Sequence, residues 1–480
     1  MSELSFISIK DLKLKLEKKE VSPDEVLKYY IGQFNKFDNK IKSALEVFNI
    51  DLIKKATSGQ GALFAIPGLI KDNIAQENRK LSCASKILEN YIAPYDATVV
   101  DRLKKAGAFS LGRANMDEFA MGSSGETSAY QKTVNPWNIK RVPGGSSSGS
   151  AACVAAGLVP WSLGSETGGS VRQPAILCGV VGMKPTYGLI SRYGLVAYGS
   201  SIDQIGPITR TVYDNALILS TIGGHDSKDS TSARIDKQDY TKTLTGKLKN
   251  GFTLGVIDNA LEAEGVDTEV YNLLNESLKI FEKLGAKIKR IKLPMMDYGA
   301  AVYFVVSRAE AASNLAKFDG VRYGFRAKEI ESLDSMYKHT RSKGFGLEVK
   351  SRILIGNYVL SAGHSEEFYQ SAKIVQSMIR GSFLKAFEDV DLLFAPGAPS
   401  EAFEFGKYDD NKLLMDLQDY FTCSVNLAGI PSLAIPCGFT KNKLPVGFQL
   451  IGSDFSEHEI YQAAYAYEQE TLWYKHHPVI

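Results

Sequence analysis

Between about Gly122 and Gly224 the chain is rich in glycine, serine and alanine and poor in charge, yet large apolar side chains run through it: Val154, Leu158, Val159, Trp161, Leu163, Val180, Val181 and Met183. Without such anchors, a Gly/Ser-rich stretch would behave as a flexible linker. With them the stretch must fold. Small residues in a buried setting let backbone approach backbone, or a ligand, at close range. Any fold for this chain therefore has to place a long, weakly charged, small-residue segment in its interior.

The flanking segments alternate between helical and strand-like patterns. Ser22-Pro23-Asp24-Glu25 supplies a capping serine, a proline at the first helical position and a glutamate three residues after the cap; Val26, Tyr30 and Phe34 then form one apolar stripe. Ala62 to Ile70 is a short apolar run ending on Lys71, and Asp96 to Ala106 reads as a helix followed by a strand over Ala108–Gly112. From His225 to about Gly251 the chain turns polar. Phe252–Ile257, Thr268–Leu284 and Ala286–Leu293 then read as a β-α-β unit. Helices around Glu366–Glu388 and Glu457–Glu470, with strands at Leu392–Pro396 and Pro431–Cys437, complete the pattern. The alternation predicts an α/β architecture with a largely internal sheet. The chain reads as a single domain over 1–480, with residues of about 225–300 as a peripheral α/β insertion within it.

The 56 basic and 54 acidic residues nearly cancel, which argues against a chain that grips nucleic acid by its own field and leaves such contacts to a local patch or a partner. Five scattered cysteines form no C-x-x-C pair, so neither a zinc site nor a disulfide framework is expected; buried thiols in a reducing compartment are. The N-terminus lacks the apolar core of a signal peptide, and the longest small/apolar run, Ala151–Gly164, is too short to span a bilayer. These features predict a cytoplasmic protein, or one of an organellar matrix, without a membrane association.

Two Gly/Ser clusters are candidates for chemistry: Gly144-Gly145-Ser146-Ser147-Ser148-Gly149-Ser150, and Gly164 to Pro174, which contains Thr167-Gly168-Gly169-Ser170. Neither continues into Gly-Lys-Ser/Thr, so a phosphate loop is not supported, and neither has the spacing of a dinucleotide fingerprint. The second cluster suits a nucleophile loop. It strings backbone N–H groups together without bulky side chains, and Pro174 fits the start of a helix. Ser170 would lie near that helix N-terminus among donors able to hold an oxyanion, each worth roughly 3–4 kcal/mol of barrier. A purely structural Gly-Gly-Ser turn fits the same residues.

A nucleophilic serine needs a base. The six histidines (His225, His339, His364, His458, His476, His477) all follow this region, in polar or terminal contexts. Lys71, after Ile66-Pro67-Gly68-Leu69-Ile70, is the other option. To be half neutral near pH 7 its pKa must fall by roughly 3, about 4–5 kcal/mol, which burial can supply. A lysine snorkelling from a strand end fits the same position.

The motif Gly144–Ala151 followed by Gly168-Gly169-Ser170-Val171-Arg172-Gln173-Pro174, together with Lys71-Asp72-Asn73, resembles the amidase signature family, and the interval from Ser146 to Ser170 matches that of its two serines. Ser148, where the family often has glycine, is a small departure. The resemblance implies a large central mixed sheet surrounded by helices. It also implies a Ser–Ser–Lys triad: Ser170 as nucleophile, Ser146 on a cis peptide as proton relay, and Lys71 as base, with Thr167, Gly168, Gly169 and Ser170 forming the oxyanion hole and no metal.

Within the family, the stretches Arg308–Gly324, Ser342–Gly346 and Val425–Pro431 resemble the glutamine-hydrolysing A subunits of tRNA-dependent amidotransferases. That likeness implies glutamine as substrate, recognised by Tyr303, Arg352 and Asp419. It implies a B subunit that uses ATP and Mg, a small C subunit, and misacylated tRNA bound through the complex. As residues alone, these three also suit surface ion pairs. A stand-alone amidase for another small amide and a non-catalytic scaffold are the other readings.

Overall fold

In the computed structural model, which describes residues 4–51, 53, 61–328 and 330–480, the short apolar runs assemble into one mixed sheet, eleven-stranded among the described residues. The strands are β1 (Ala44–Val47), β2 (Pro67–Lys71), β3 (Phe109–Ala114), β4 (Trp161–Glu166), β5 (Val181–Lys184), β6 (Gln204–Thr209), β7 (Thr253–Ile257), β8 (Lys287–Ile291), β9 (Leu392–Pro396), β10 (Ser432–Phe439) and β11 (Pro445–Ile451). Their spatial order is β1-β3-β2-β4-β6-β5-β10-β11-β9-β7-β8. β2 runs parallel to β3 and β4, and β7 parallel to β8 and β9; the other neighbours are antiparallel.

Every residue of β2, β4, β5, β6, β9 and β11 is buried. Covered on both faces, these strands need no polar alternation, which is why β2 and β9 read as continuous apolar runs. The edge strand β8 differs: Lys287, Lys289 and Arg290 are exposed, and such charges discourage pairing with a further chain. The unit expected as an insertion packed on the main body is placed differently here. β7 hydrogen-bonds β9 and β8 hydrogen-bonds β7, so its strands extend the central sheet at one edge. The sequence shows a β-α-β unit but not which sheet edge it joins.

Ser22 forms the expected capping box with Glu25, and Val26, Tyr30 and Phe34 are buried. The small-residue segment supplies β4, β5 and β6 and two wholly buried helices, Ser148–Ala155 and Arg172–Cys178. These helices start close to the carboxyl ends of β2 and β4, where open α/β sheets place their ligands. Close packing makes the glycines there obligatory. A Cβ on Gly149 would lie 2.1 Å from the Ser43 carbonyl oxygen and 2.6 Å and 2.7 Å from the Asn115 backbone N and O. Backbone cannot swing aside as a side chain can, so Gly149→Ala is expected to destabilise the fold by about 3 kcal/mol. A lower urea midpoint at unchanged slope is the measurement that checks it.

Candidate active site

Lys71 is the last residue of β2, flanked by β3 and β4, and its side chain is fully buried. The snorkelling alternative does not hold, because the amine is sealed among polar atoms: Nζ lies 2.7 Å from Ser146 Oγ, 2.9 Å from Ser147 Oγ and 2.9 Å from the Ser165 carbonyl oxygen. Burial pushes its pKa down to about 7, against the opposing pull of Asp117, Asp203 and Glu166. All three contacting oxygens are acceptors for the Lys71 N–H groups; when the amine is neutral, two N–H groups suffice for Ser147 Oγ and the Ser165 carbonyl, and the lone pair is left for the Ser146 hydroxyl proton. Ser147, which sequence reading passed over, braces this arrangement. Its hydroxyl donates to the Ser165 carbonyl at 3.1 Å and accepts the Ser165 N–H at 3.3 Å.

The peptide bond between Gly145 and Ser146 is cis. The Ser146 carbonyl accepts the Asp117 N–H at 3.2 Å, and the Ser147 N–H donates to the Ser170 carbonyl at 3.1 Å, joining the two serine loops directly. Gln173 adds a second tie: its Oε1 accepts the Gly145 N–H at 3.0 Å while its Nε2 donates to the Ser123 carbonyl at 2.8 Å. Ser170 follows β4 by four residues and precedes the helix Arg172–Cys178. It retains 4% exposure, whereas Lys71 and Ser146 have none.

The loop from Thr167 to Ser170 is clamped from behind. Glu166 accepts the N–H groups of Val171 and Arg172 at 2.9 Å and 3.0 Å and pairs with the Arg172 guanidinium. Burial would raise its pKa, but Arg172 holds the carboxyl below the usual range. The Thr422 hydroxyl donates to the Gly168 carbonyl at 2.6 Å. A Cβ on Gly168 would meet the Tyr303 ring at 2.5 Å, and one on Gly169 would lie 2.9 Å from Asp419 Oδ1. Both glycines are therefore points of close approach between this loop and the residues expected to recognise substrate.

Tyr303, on the helix Gly299–Leu315, packs beside Tyr198 and Arg352, and burial pushes its phenol far up, so it stays neutral. Arg352 comes from the helix Leu347–Leu360. Its Nε donates to Glu348 Oε1 at 2.8 Å and its Nη1 to the Tyr198 hydroxyl at 2.6 Å, while Nη2 lies 3.9 Å from Asp416. Asp419 is buried; Ser123 donates to its Oδ2 at 2.6 Å, and its Oδ1 has no partner among the described residues. Burial pushes its pKa up to about 7. Neither Arg352 nor Asp419 is a surface ion-pair residue: they are 6% and 7% exposed. Arg352 opens onto a cavity of about 370 Å³ that Ser123, Phe304, Arg308, Glu348 and Asp416 also line. Five histidines are exposed and the sixth, His364, is half-buried; the tight polar contacts around Lys71 come from serines.

Sequence reading missed Ser123, Ser147, Tyr198 and Asp203. Ser147 lies within the Gly144–Ser150 cluster, where its neighbours mark it. The others carry no local signature, since only the tertiary fold brings them to the site. The five cysteines are free and buried, as expected.

A lysine sealed behind paired serine loops on a mixed sheet belongs to a known class: an amidase family profile matches residues 25–461, and the chain is a member of the amidase family. Its relatives narrow the likeness. The A subunit of the glutamyl-tRNA(Gln) amidotransferase of Halalkalibacterium halodurans is 47% identical over 483 residues, 99% of each chain. The protein of the same name from Thermoanaerobacter pseudethanolicus is 49% identical over 475 residues, 97% of each. The crystal structure of the A subunit of glutamyl-tRNA(Gln) amidotransferase from Thermotoga maritima, 40% identical, matches with a TM-score of 0.81, covering 96% of this chain and 94% of its own. Each of these names describes one subunit of a larger enzyme.

Proposed function

We propose that this chain is the glutaminase subunit of a tRNA-dependent amidotransferase and that it releases ammonia from glutamine through Ser170, Ser146 and Lys71. The observation that carries the chemistry is the buried Lys71 amine, 2.7 Å from Ser146 Oγ, with its pKa pushed down by burial. Near-full-length likeness to amidotransferase A subunits supports the biological setting.

Ser170 Oγ attacks the side-chain amide carbon of glutamine, and its proton passes through the Ser146 hydroxyl to the Lys71 amine. The N–H groups from Thr167 to Ser170 face the developing oxyanion; those of Val171 and Arg172 are already committed to Glu166. As the C–N bond breaks, the proton returns along the same path and ammonia leaves. Water then attacks the glutamyl ester by the same relay, releasing glutamate and restoring Ser170.

For recognition, the remaining donors of Arg352 take the α-carboxylate, and the unpartnered Asp419 Oδ1 takes the α-ammonium. A bound ammonium favours ionised Asp419, so substrate supplies the charge partner that the buried carboxyl lacks. Tyr303 closes the pocket over the loop. The ammonia would pass to a B subunit, held with a small C subunit, which would use ATP, with Mg bound there, to amidate the misacylated tRNA. The proposed compartment is the cytosol; no helix among the described residues is long and apolar enough to cross a membrane.

The test is glutamine hydrolysis by the chain assembled with its partners, in the presence of glutamyl-tRNA(Gln) and ATP. Turnover coupled to amidation is expected, and brisk hydrolysis of aryl or fatty amides by the isolated chain contradicts the reading. Arg352→Lys keeps the charge but loses the planar fork. It should raise KM for glutamine at least about tenfold while kcat falls less, as steady-state kinetics of the complex will show.

A further inference from the structure

Between the nucleophile loop and the recognition cluster lies a carboxylate that belongs to neither motif. Asp203 immediately precedes β6 and is 4% exposed. Its Oδ1 accepts the Thr167 hydroxyl at 2.7 Å and the Gly199 N–H at 3.0 Å; its Oδ2 accepts the N–H groups of Tyr198 and Gly199 at 2.8 Å and 3.1 Å. Thr167 is part of the nucleophile loop. Tyr198 reaches the other way: its hydroxyl accepts Arg352 Nη1 at 2.6 Å, and its ring lies 5.6 Å from the guanidinium carbon.

With Nε committed to Glu348 and Nη1 to Tyr198, the plane of the Arg352 guanidinium is fixed. A guanidinium reads a carboxylate well only when its fork is held at the right angle. The substrate amide must also meet Ser170 in a near-attack position, where an error of about 1 Å is costly. One buried carboxylate holds both ends of this distance. Its acceptor bonds offset a burial effect that still leaves its pKa up at about 6, so it is ionised at neutral pH.

We propose that Asp203 is a positioning residue that keeps the nucleophile loop in register with Arg352, through Thr167 on one side and Tyr198 on the other, and that Tyr198 thereby sets the preference for amides bearing an α-carboxylate. The inference rests on the function proposed above and deepens it.

The experiment uses the assembled complex and two ligands: glutamine as substrate, and γ-aminobutyramide, which is glutamine without its α-carboxylate, as a competing amide. Tyr198→Phe removes only the hydroxyl that orients Arg352. It should raise KM for glutamine about tenfold or more while leaving the inhibition constant of γ-aminobutyramide unchanged. Asp203→Asn should raise KM in the same selective way and lower kcat as well, because the loop is released with the arginine. Thr167→Ser, which keeps the hydroxyl, should retain the kcat that Thr167→Val loses. Adding Tyr198→Phe to Asp203→Asn should cost less than the two single effects combined, since both act on one linkage. If both ligands weaken by the same factor, or if the effects simply add, Asp203 and Tyr198 are structural only and the inference is overturned. Should Asp203→Asn fail to assemble, Tyr198→Phe and the Thr167 pair decide it. A wild-type complex that does not hydrolyse glutamine overturns the function beneath. That result is distinct from an active wild type whose variants keep their ligand preference.

Discussion

Ser170→Ala is expected to eliminate glutamine-dependent amidation by the assembled complex while amidation driven by free ammonia continues. The variant loses the only atom proposed to bond covalently to the substrate, and removing a hydrolase nucleophile costs at least about ten-thousandfold in kcat even when the oxyanion donors remain. The alanine fits the space: Ser170 is buried, and its backbone carbonyl, not its side chain, ties the loop to Ser147. Assembly and tRNA handling should therefore be unaffected. Parallel assays with glutamine and with ammonium chloride separate the two activities. Loss of both in an intact complex would contradict the division of labour between this chain and its partners.

The second large effect concerns the base. Lys71→Arg preserves a positive group at the end of β2 but supplies one that cannot give up its proton at any accessible pH. Glutamine hydrolysis should fall about a thousandfold, the scale of a lost general base. The wild-type pH profile carries the same signature. Burial sets the Lys71 pKa down at about 7, and the mechanism requires the neutral amine. kcat at saturating glutamine, where the bound α-ammonium holds Asp419 ionised, should therefore be low in mild acid, rise as pH increases through about 7, and level off above it. A histidine base would give a rise as well, so the discriminating result is the variant: in Lys71→Arg that limb should vanish along with the activity. A profile that retains the limb in Lys71→Arg would assign it to another group.

How much of this was legible in the sequence varies residue by residue. Ser170 could be read from local chemistry, because a glycine-flanked serine between a strand and a helix offers N–H donors in any fold. Lys71 was visible as a single lysine closing an apolar run, but its burial was not. That depends on Ser146, Ser147 and Ser165, which reach it from two other segments of the chain. The resemblance supplied the link that periodicity could not. Tyr303, Arg352 and Asp419 sit on three separate helical segments, and nothing in their neighbours marks them as converging.

Asp203 and Tyr198 were invisible for a related reason. Their role is to bridge Thr167 and Arg352, far apart in the chain, and a bridge has no local pattern. The sheet shows the same limit. β2, β9 and β10 declared themselves as apolar runs, whereas β4, β5, β6 and β11 were not read as strands, and β7 and β8 had a clear β-α-β signature but no indication of the edge they would join. Strand existence is a local property; strand order is set by which edges remain open once the rest has packed.

That Ser170 is the residue that takes the glutamyl group is tested most directly by covalent labelling. The assembled complex is treated with a diazoketone analogue of glutamine, which alkylates the attacking nucleophile with loss of dinitrogen, and the modified peptide is sequenced by mass spectrometry. A single label on Ser170 is expected, blocked by excess glutamine and absent from Ser170→Ala. A label on Cys83, Ser146 or any other side chain, or one that persists in Ser170→Ala, would contradict the assignment of Ser170 as nucleophile.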